Sequence, residues 1–140
     1  MNAQEIKELS SSYMEIWNAG KENLLNEFAD DDLEVNYTHF EKTYNSISEY
    51  KAMLKQTHEF FPDLKISIKE IIPSENVRSA TINWEYNGTH ENGDLFGVEA
   101  SGKNVAVQGM TVLKFQNGKV VEEKGIVDNL GLIMQLGAMG

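Results

Sequence analysis

"VAVQGMTVLKFQNGKVVEEKGIVDNLGLIMQLG", Val105 to Gly137, decides the fold. Two strand-like segments flank Asn117-Gly118, a dipeptide whose tolerance of positive φ suits a two-residue type I′ turn, so the stretch reads as a β-hairpin. Without a bulge, Phe115 faces Val120, Leu113 faces Glu122, Gly109 lies beside Ile126 and Val107 beside Asp128. Glu122, Lys124, Ile126 and Asp128 then share one face. Asp128 is the only charged residue between Gly125 and Gly140, and a short apolar helical run, "NLGLIMQLG", follows it directly. Two roles compete for this carboxylate. Asp is among the best helix N-caps; a carboxylate at the inner end of a strand, in an apolar cavity, is made more basic and can remove a proton from carbon beside a carbonyl.

Upstream of the hairpin, "LKISIKEII" and "VRSATINWEY" alternate apolar and polar residues, as strands with one buried face do. The glycine-rich "NGTHENGDLFGVEASGK" reads as a strand end followed by a loop long enough to be functional. Before these strands the period is helical. Ile6, Leu9, Tyr13, Ile16 and Trp17 line one helix face that "NAG" stops, and a short helix through Leu24, Leu25 and Phe28 follows. The acidic run Asp30 to Asp32 reads as a solvated turn before a strand, "LEVNYTH". Ser46-Ile47-Ser48-Glu49 has capping-box spacing and opens a third helix with an Ile47, Tyr50, Leu54, Phe61 face, ended by Pro62. Helices first and antiparallel strands afterwards define an α+β domain in which a curved sheet wraps the helices, leaving an open-ended cavity suited to a small ligand.

With 140 residues, 41% of them hydrophobic and 24% charged, the chain makes one globular domain, residues 1–140. A net charge of -10 repels phosphate backbones and anionic membrane surfaces, so neither nucleic acid nor membrane is an expected partner. The start "MNAQEIKELSSSYMEIW" has charges and helical period where a signal peptide needs an apolar block. Together with the absence of cysteine, this predicts a cytoplasmic protein.

The remaining polar candidates are few. His90, in "GTHENG", and Gln108, inside an apolar strand, are placed to meet a polar ligand group; His39 and Asn36 lie on the predicted strand before the third helix. His58 falls in line with Tyr50 and Leu54, where a hydrogen-bonded core histidine competes with a ligand contact. Trp84, Met110, Phe96 and Phe115 are core material that can also line a pocket for a flat ligand. Gln135 is expected to bond nearby backbone. No histidine has metal-ligand spacing, and neither a P-loop nor a nucleophile elbow is present, so no cofactor is expected.

"FPDLKISIKEII", the "NGTHENG" strand end, the Ala100-Ser101-Gly102 loop, the "NGKVVEE" hairpin, and Asp128 followed by "QLG" together resemble the SnoaL-like polyketide cyclase family. The resemblance implies a cone of curved, mostly antiparallel sheet around N-terminal helices, of the ketosteroid isomerase or nuclear transport factor 2 type, usually homodimeric. It also implies a cofactor-free aldol cyclisation of a hydrophobic carbonyl compound, with Asp128 as acid/base and His90, Gln108, Asn36 or His39 orienting the substrate. The departures are Ala100-Ser101-Gly102 where the family has Pro-Thr-Gly, and Lys124 where it often has an aromatic residue. The alternative is a module of the same fold that binds a small ligand without converting it.

Overall fold

The first helix begins where Asn2 caps it: Asn2 Oδ1 accepts from the Glu5 N–H at 2.8 Å, and the Glu5 carboxylate accepts from the Asn2 N–H at 3.1 Å. The computed structural model describes residues 1–138. Helix α1 (Ala3–Met14) passes into two 3-10 turns, Glu15–Trp17 and Glu22–Leu24, and a single-turn α2 (Leu25–Phe28). Strand β1 (Ala29–Tyr37), α3 (Ile47–Phe60), β2 (Lys65–Ser74), β3 (Ser79–His90), β4 (Lys103–Gln116), β5 (Lys119–Val127) and α4 (Asn129–Leu136) follow. The sheet runs β1-β5-β4-β3-β2, antiparallel except for β1, which lies parallel to β5. Helices α1 and α3 lie against one face of it. This is the expected α+β architecture.

Two local expectations are corrected. The acidic run Asp30 to Asp32 belongs to β1 and is not a turn, because Ala29 and Leu33 are buried on either side of it while Asp31 and Asp32 stay exposed. Charges on that outermost strand discourage pairing with another sheet. Ser46 caps α3 as expected, accepting from the Glu49 N–H at 3.2 Å, but the Glu49 carboxylate turns to Lys42 at 3.1 Å. The cap is therefore one-sided.

The hairpin forms with Asn117 at φ 54° and Gly118 at φ 76°. Phe115 pairs with Val120, yet the next pair is Lys114 with Glu122, so Val121 is left over as a bulge. Every later pair slips by one: Leu113 faces Glu123, and Gly109 faces Val127. Because side chains alternate, the slip sends Glu123 to the buried face and leaves Glu122, Lys124 and Ile126 on the open one. Lys124 Nζ then pairs with Glu122 at 2.7 Å, out on the open face.

Glu123 has no exposed surface. Its Oε1 accepts from the Tyr13 hydroxyl at 2.7 Å; its Oε2 accepts from Tyr50 at 2.8 Å, from Trp17 Nε1 at 3.3 Å and from the Tyr37 hydroxyl. The Tyr37 oxygen also lies 2.8 Å from Thr111 Oγ1, which accepts from Trp84 Nε1 at 2.9 Å. Since an indole only donates and the Tyr37 proton goes to the carboxylate, the chain has one direction: Trp84 to Thr111 to Tyr37 to Glu123. A Cβ at Gly109 would collide with the Trp84 ring and one at Gly125 with the Tyr37 ring, so both strands need glycine where these rings cross them.

Burial pushes the Glu123 carboxyl above its usual range, and its four donors act against that shift. Burial, together with the adjacent carboxylate, drives the Tyr13, Tyr37 and Tyr50 phenols well above 10. Tyr13→Phe is expected to cost about 2 kcal/mol and Glu123→Gln about 3 kcal/mol in urea denaturation, the latter because phenols and indole lose a shared acceptor in the core. A phenol whose folded pKa is raised contributes stability that is complete below the unfolded value near 10 and is lost as pH climbs past it. Stability should therefore fall above pH 10 by about 1.4 kcal/mol per pH unit for each such tyrosine. Tyr86, raised by burial alone, adds to this slope. Denaturation titrations of Tyr86→Phe should show near-native stability at pH 7 and a shallower alkaline decline.

Candidate functional site

Where β5 ends at Val127, β4 continues without a partner on that side, and the C-terminal segment supplies one. The Asp128 N–H donates to the Gln108 carbonyl at 2.9 Å, and the Gln135 side chain bridges both backbone groups of Ala106 at 2.8 Å each. These bonds satisfy edge groups that a strand would otherwise pair. Gln135 thus bonds backbone as expected, on β4, and docks α4 there. Asp128 Oδ1 accepts from the Gly131 N–H at 2.9 Å, so the N-cap role is realised. A Cβ at Gly131 would strike the Asp128 carboxylate, which explains glycine inside this helix.

The register slip changes the surroundings expected for Asp128. It does not lie beside Val107 on the buried face. It is exposed at the rim of the open face, with no hydrogen bond to Oδ2 among the described residues. There it borders a concavity of about 980 Å³ together with His39, Lys69, Trp84, Glu85, Gln108 and Met110. A second, inner cavity of about 200 Å³ is lined almost wholly by apolar groups: Trp17, Phe40, Met53, Phe60, Phe61, Tyr86, Leu95, Phe96 and Leu132. His39, Trp84, Val127 and Asn129 border both spaces. The two residues flanking Asp128 in sequence are thus part of the shared wall.

Of the residues singled out from the sequence, Asp128, His39, Gln108, Trp84 and Met110 meet around the outer concavity. His39 packs edge-on against Phe40, with ring centroids 4.8 Å apart, and desolvation lowers its imidazole pKa, leaving it neutral at pH 7. Three others are elsewhere. Asn36 is exposed on β1, beside Lys124. His58 is buried between Glu22, 3.2 Å from Nδ1, and the Trp17 carbonyl, 2.9 Å from Nε2, which ties α3 to the turns after α1. His90 is fully buried against Phe60 and Phe61, and its Nε2 donates to the Gly93 carbonyl at 2.7 Å, pinning the loop after β3. That bond fixes the tautomer and leaves Nδ1 without a partner among the described residues. Glu123 and its tyrosines are not legible as a cluster in the sequence, because an unbulged hairpin puts Glu122 inside. The one available sign was three tyrosines on predicted buried faces with no polar partner nearby in sequence.

A five-stranded, mostly antiparallel sheet covered by helices on one face is the architecture of the ketosteroid isomerase and nuclear transport factor 2 class. TsrD from Streptomyces laurentii superposes with a TM-score of 0.83 at 18% identity, covering 99% of this chain and 98% of its own. AclR from Streptomyces galilaeus gives 0.83 at 23% identity, with 98% and 83% covered. A Catenulispora acidiphila protein with a ketosteroid isomerase-like fold, solved with trimethylamine, gives 0.76 at 14% identity, with 93% and 92% covered. No curated protein sequence matches the chain. The profile of the SnoaL-like polyketide cyclases matches residues 7–136, and the chain belongs to that family. No helix among the described residues is long and apolar enough to cross a membrane.

The cap and the clash at Gly131 make opposite demands that can be measured. Asp128→Asn keeps a good cap and should leave Tm within a degree or so, whereas Asp128→Ala should cost about 1 kcal/mol, or about 3 °C. Gly131→Ala, which stabilises an unconstrained helix by about 1 kcal/mol, should here lower Tm, since the new methyl displaces the carboxylate. Calorimetry of the three variants decides this.

Proposed function

We propose that the protein is a cofactor-free acid/base catalyst of the cyclase or isomerase type, acting on a hydrophobic carbonyl compound in the cytoplasm. The observation that carries this reading is the position of Asp128: a carboxylate with one oxygen held by a helix N-terminus and the other unengaged, at the rim of a concavity whose wall is shared with an apolar cavity. The apolar part of a substrate enters the inner cavity, between Trp84 and the side chains of Phe60 and Phe61. Its carbonyl-bearing end then lies at the mouth. Asp128 Oδ2 takes a proton from the α-carbon, and the resulting enolate attacks a second carbonyl of the same molecule in a cyclisation, or is reprotonated in an isomerisation. Neutral His39 and the Gln108 amide are the donors at hand for the enolate oxygen. In a cyclisation, the proton on Asp128 returns to the new alkoxide, so no other reactant is consumed.

The chain is further proposed to act as a homodimer through the open sheet face and α4, where Met110 and Ile126 on the sheet and Leu130 and Met134 on the helix are 50–62% exposed. A second copy there would roof the outer concavity and desolvate Asp128. Sedimentation should then give a dimer, and Ile126→Glu a monomer.

2-Acetylnaphthalene, a flat aromatic methyl ketone, tests the chemistry. Wild-type protein in D₂O should accelerate deuterium incorporation at the methyl group, followed by NMR. Asp128→Asn should slow that exchange about a hundredfold or more while leaving probe affinity within about threefold. Probe binding without exchange, unchanged by Asp128→Asn, would instead establish a non-catalytic binding module.

A further inference from the structure

Loop 91–102 contains a second tight turn, and it is built against the usual rule. Leu95 and Val98 exchange both backbone hydrogen bonds, at 2.9 and 3.0 Å, around Phe96 at φ 53° and Gly97 at φ 78°. Two positive φ values between such a pair mark a type I′ turn, whose first central position favours Asn, Asp or Gly. A bulky aromatic residue there is a backbone outlier. The same chain shows the relaxed solution at its other type I′ turn, where Asn117 precedes Gly118. Burial does not explain the exception, since Phe96 is 49% exposed. What the residue does border, together with Leu95, is the inner cavity. The loop is held in place by the Glu91 N–H to the Phe60 carbonyl at 3.1 Å, the Gly102 N–H to the His90 carbonyl at 3.0 Å, and the His90 bond to Gly93.

A strained residue that adds little to the core but lines a cavity points to a ligand contact. We propose that Phe96 is a specificity-determining residue of the inner cavity: the turn holds its backbone in a left-handed conformation so that its ring covers a flat, apolar ring of the bound ligand. The inference rests on the reading of the inner cavity as the seat of the substrate's apolar part, and it narrows that part to a planar ring. With about 200 Å³ available and aromatic walls from Trp84, Phe60 and Phe61, the cavity suits a planar ring better than a branched aliphatic group.

The test is Phe96→Asn, which recreates the Asn-Gly turn of the hairpin. The substitution relieves the backbone and removes the ring, so the two readouts should move in opposite directions. Tm should rise by about 3 °C. Affinity for 2-acetylnaphthalene, measured by fluorescence titration, should fall about tenfold, while affinity for cyclohexyl methyl ketone should change less than about threefold. A fall in Tm would show that the ring is structural, and equal affinity of wild type and variant for the naphthyl ketone would show that it does not touch the ligand; either result overturns the proposal. A change in sedimentation on Phe96→Asn would overturn it by assigning the ring to an interface. If wild type itself binds neither ketone, the cavity reading fails and this inference with it. Phe96→Gly, equally tolerant of positive φ, should reproduce both shifts and exclude an effect of the new amide.

Discussion

One buried carboxylate ties the fold together. Glu123 receives hydrogen bonds from Tyr13 on α1, Trp17 on the following turn, Tyr37 on β1 and Tyr50 on α3, so four segments distant in sequence converge on two oxygens of β5. A carboxylate buried without partners would be costly, and three buried phenols without acceptors would be costly as well. Each side satisfies the other. The consequence is geometric: α1 and α3 can close over the sheet only in the arrangement that brings these hydroxyls together. Packing alone would tolerate several arrangements of helices on a curved sheet, whereas a network in which every donor has its acceptor specifies one.

The same network reaches the candidate site. Trp84 forms part of the wall between the inner cavity and the outer concavity, and its indole N–H is held by Thr111, which is in turn oriented by Tyr37. The ring that a ligand would meet is thus fixed from behind by hydrogen bonds that end at Glu123. Trp17 and Tyr37 add edge-to-face packing at 5.8 Å between centroids. Rigid walls of this kind support precise placement of a small molecule more effectively than a loop could.

Asp128 occupies a different structural situation from Glu123, and the contrast is instructive. Glu123 is buried and fully bonded, hence structural; Asp128 is exposed, half bonded, and set at the junction of strand, helix and cavity mouth. A capping bond orients a carboxylate without consuming its second oxygen. For that reason the cap does not exclude a second role at this position, as the sequence already allowed. The departure at Lys124 proved remote from the inner cavity, because its ammonium is engaged by Glu122 on the open face.

Local rules were enough to read much of this protein from its sequence. Asn117-Gly118 announced the hairpin, Ser46 and Pro62 bounded α3, Asp128 capped α4, and the order of motifs from Pro62-Asp63 to Gln135-Leu136-Gly137 carried the family, because each depends on residues a few positions apart. The interior was not legible in this way. A single bulge at Val121 reversed which of two adjacent glutamates faces inward and moved Asp128 from the buried face to the rim, while packing against other elements made His90 and His58 internal ties. No local preference selects that bulge over an even ladder. It is favoured because Tyr13, Tyr37, Tyr50 and Trp17, brought together only by the tertiary fold, require one acceptor at their common centre, and Glu123 can reach it only if the strand gains a residue.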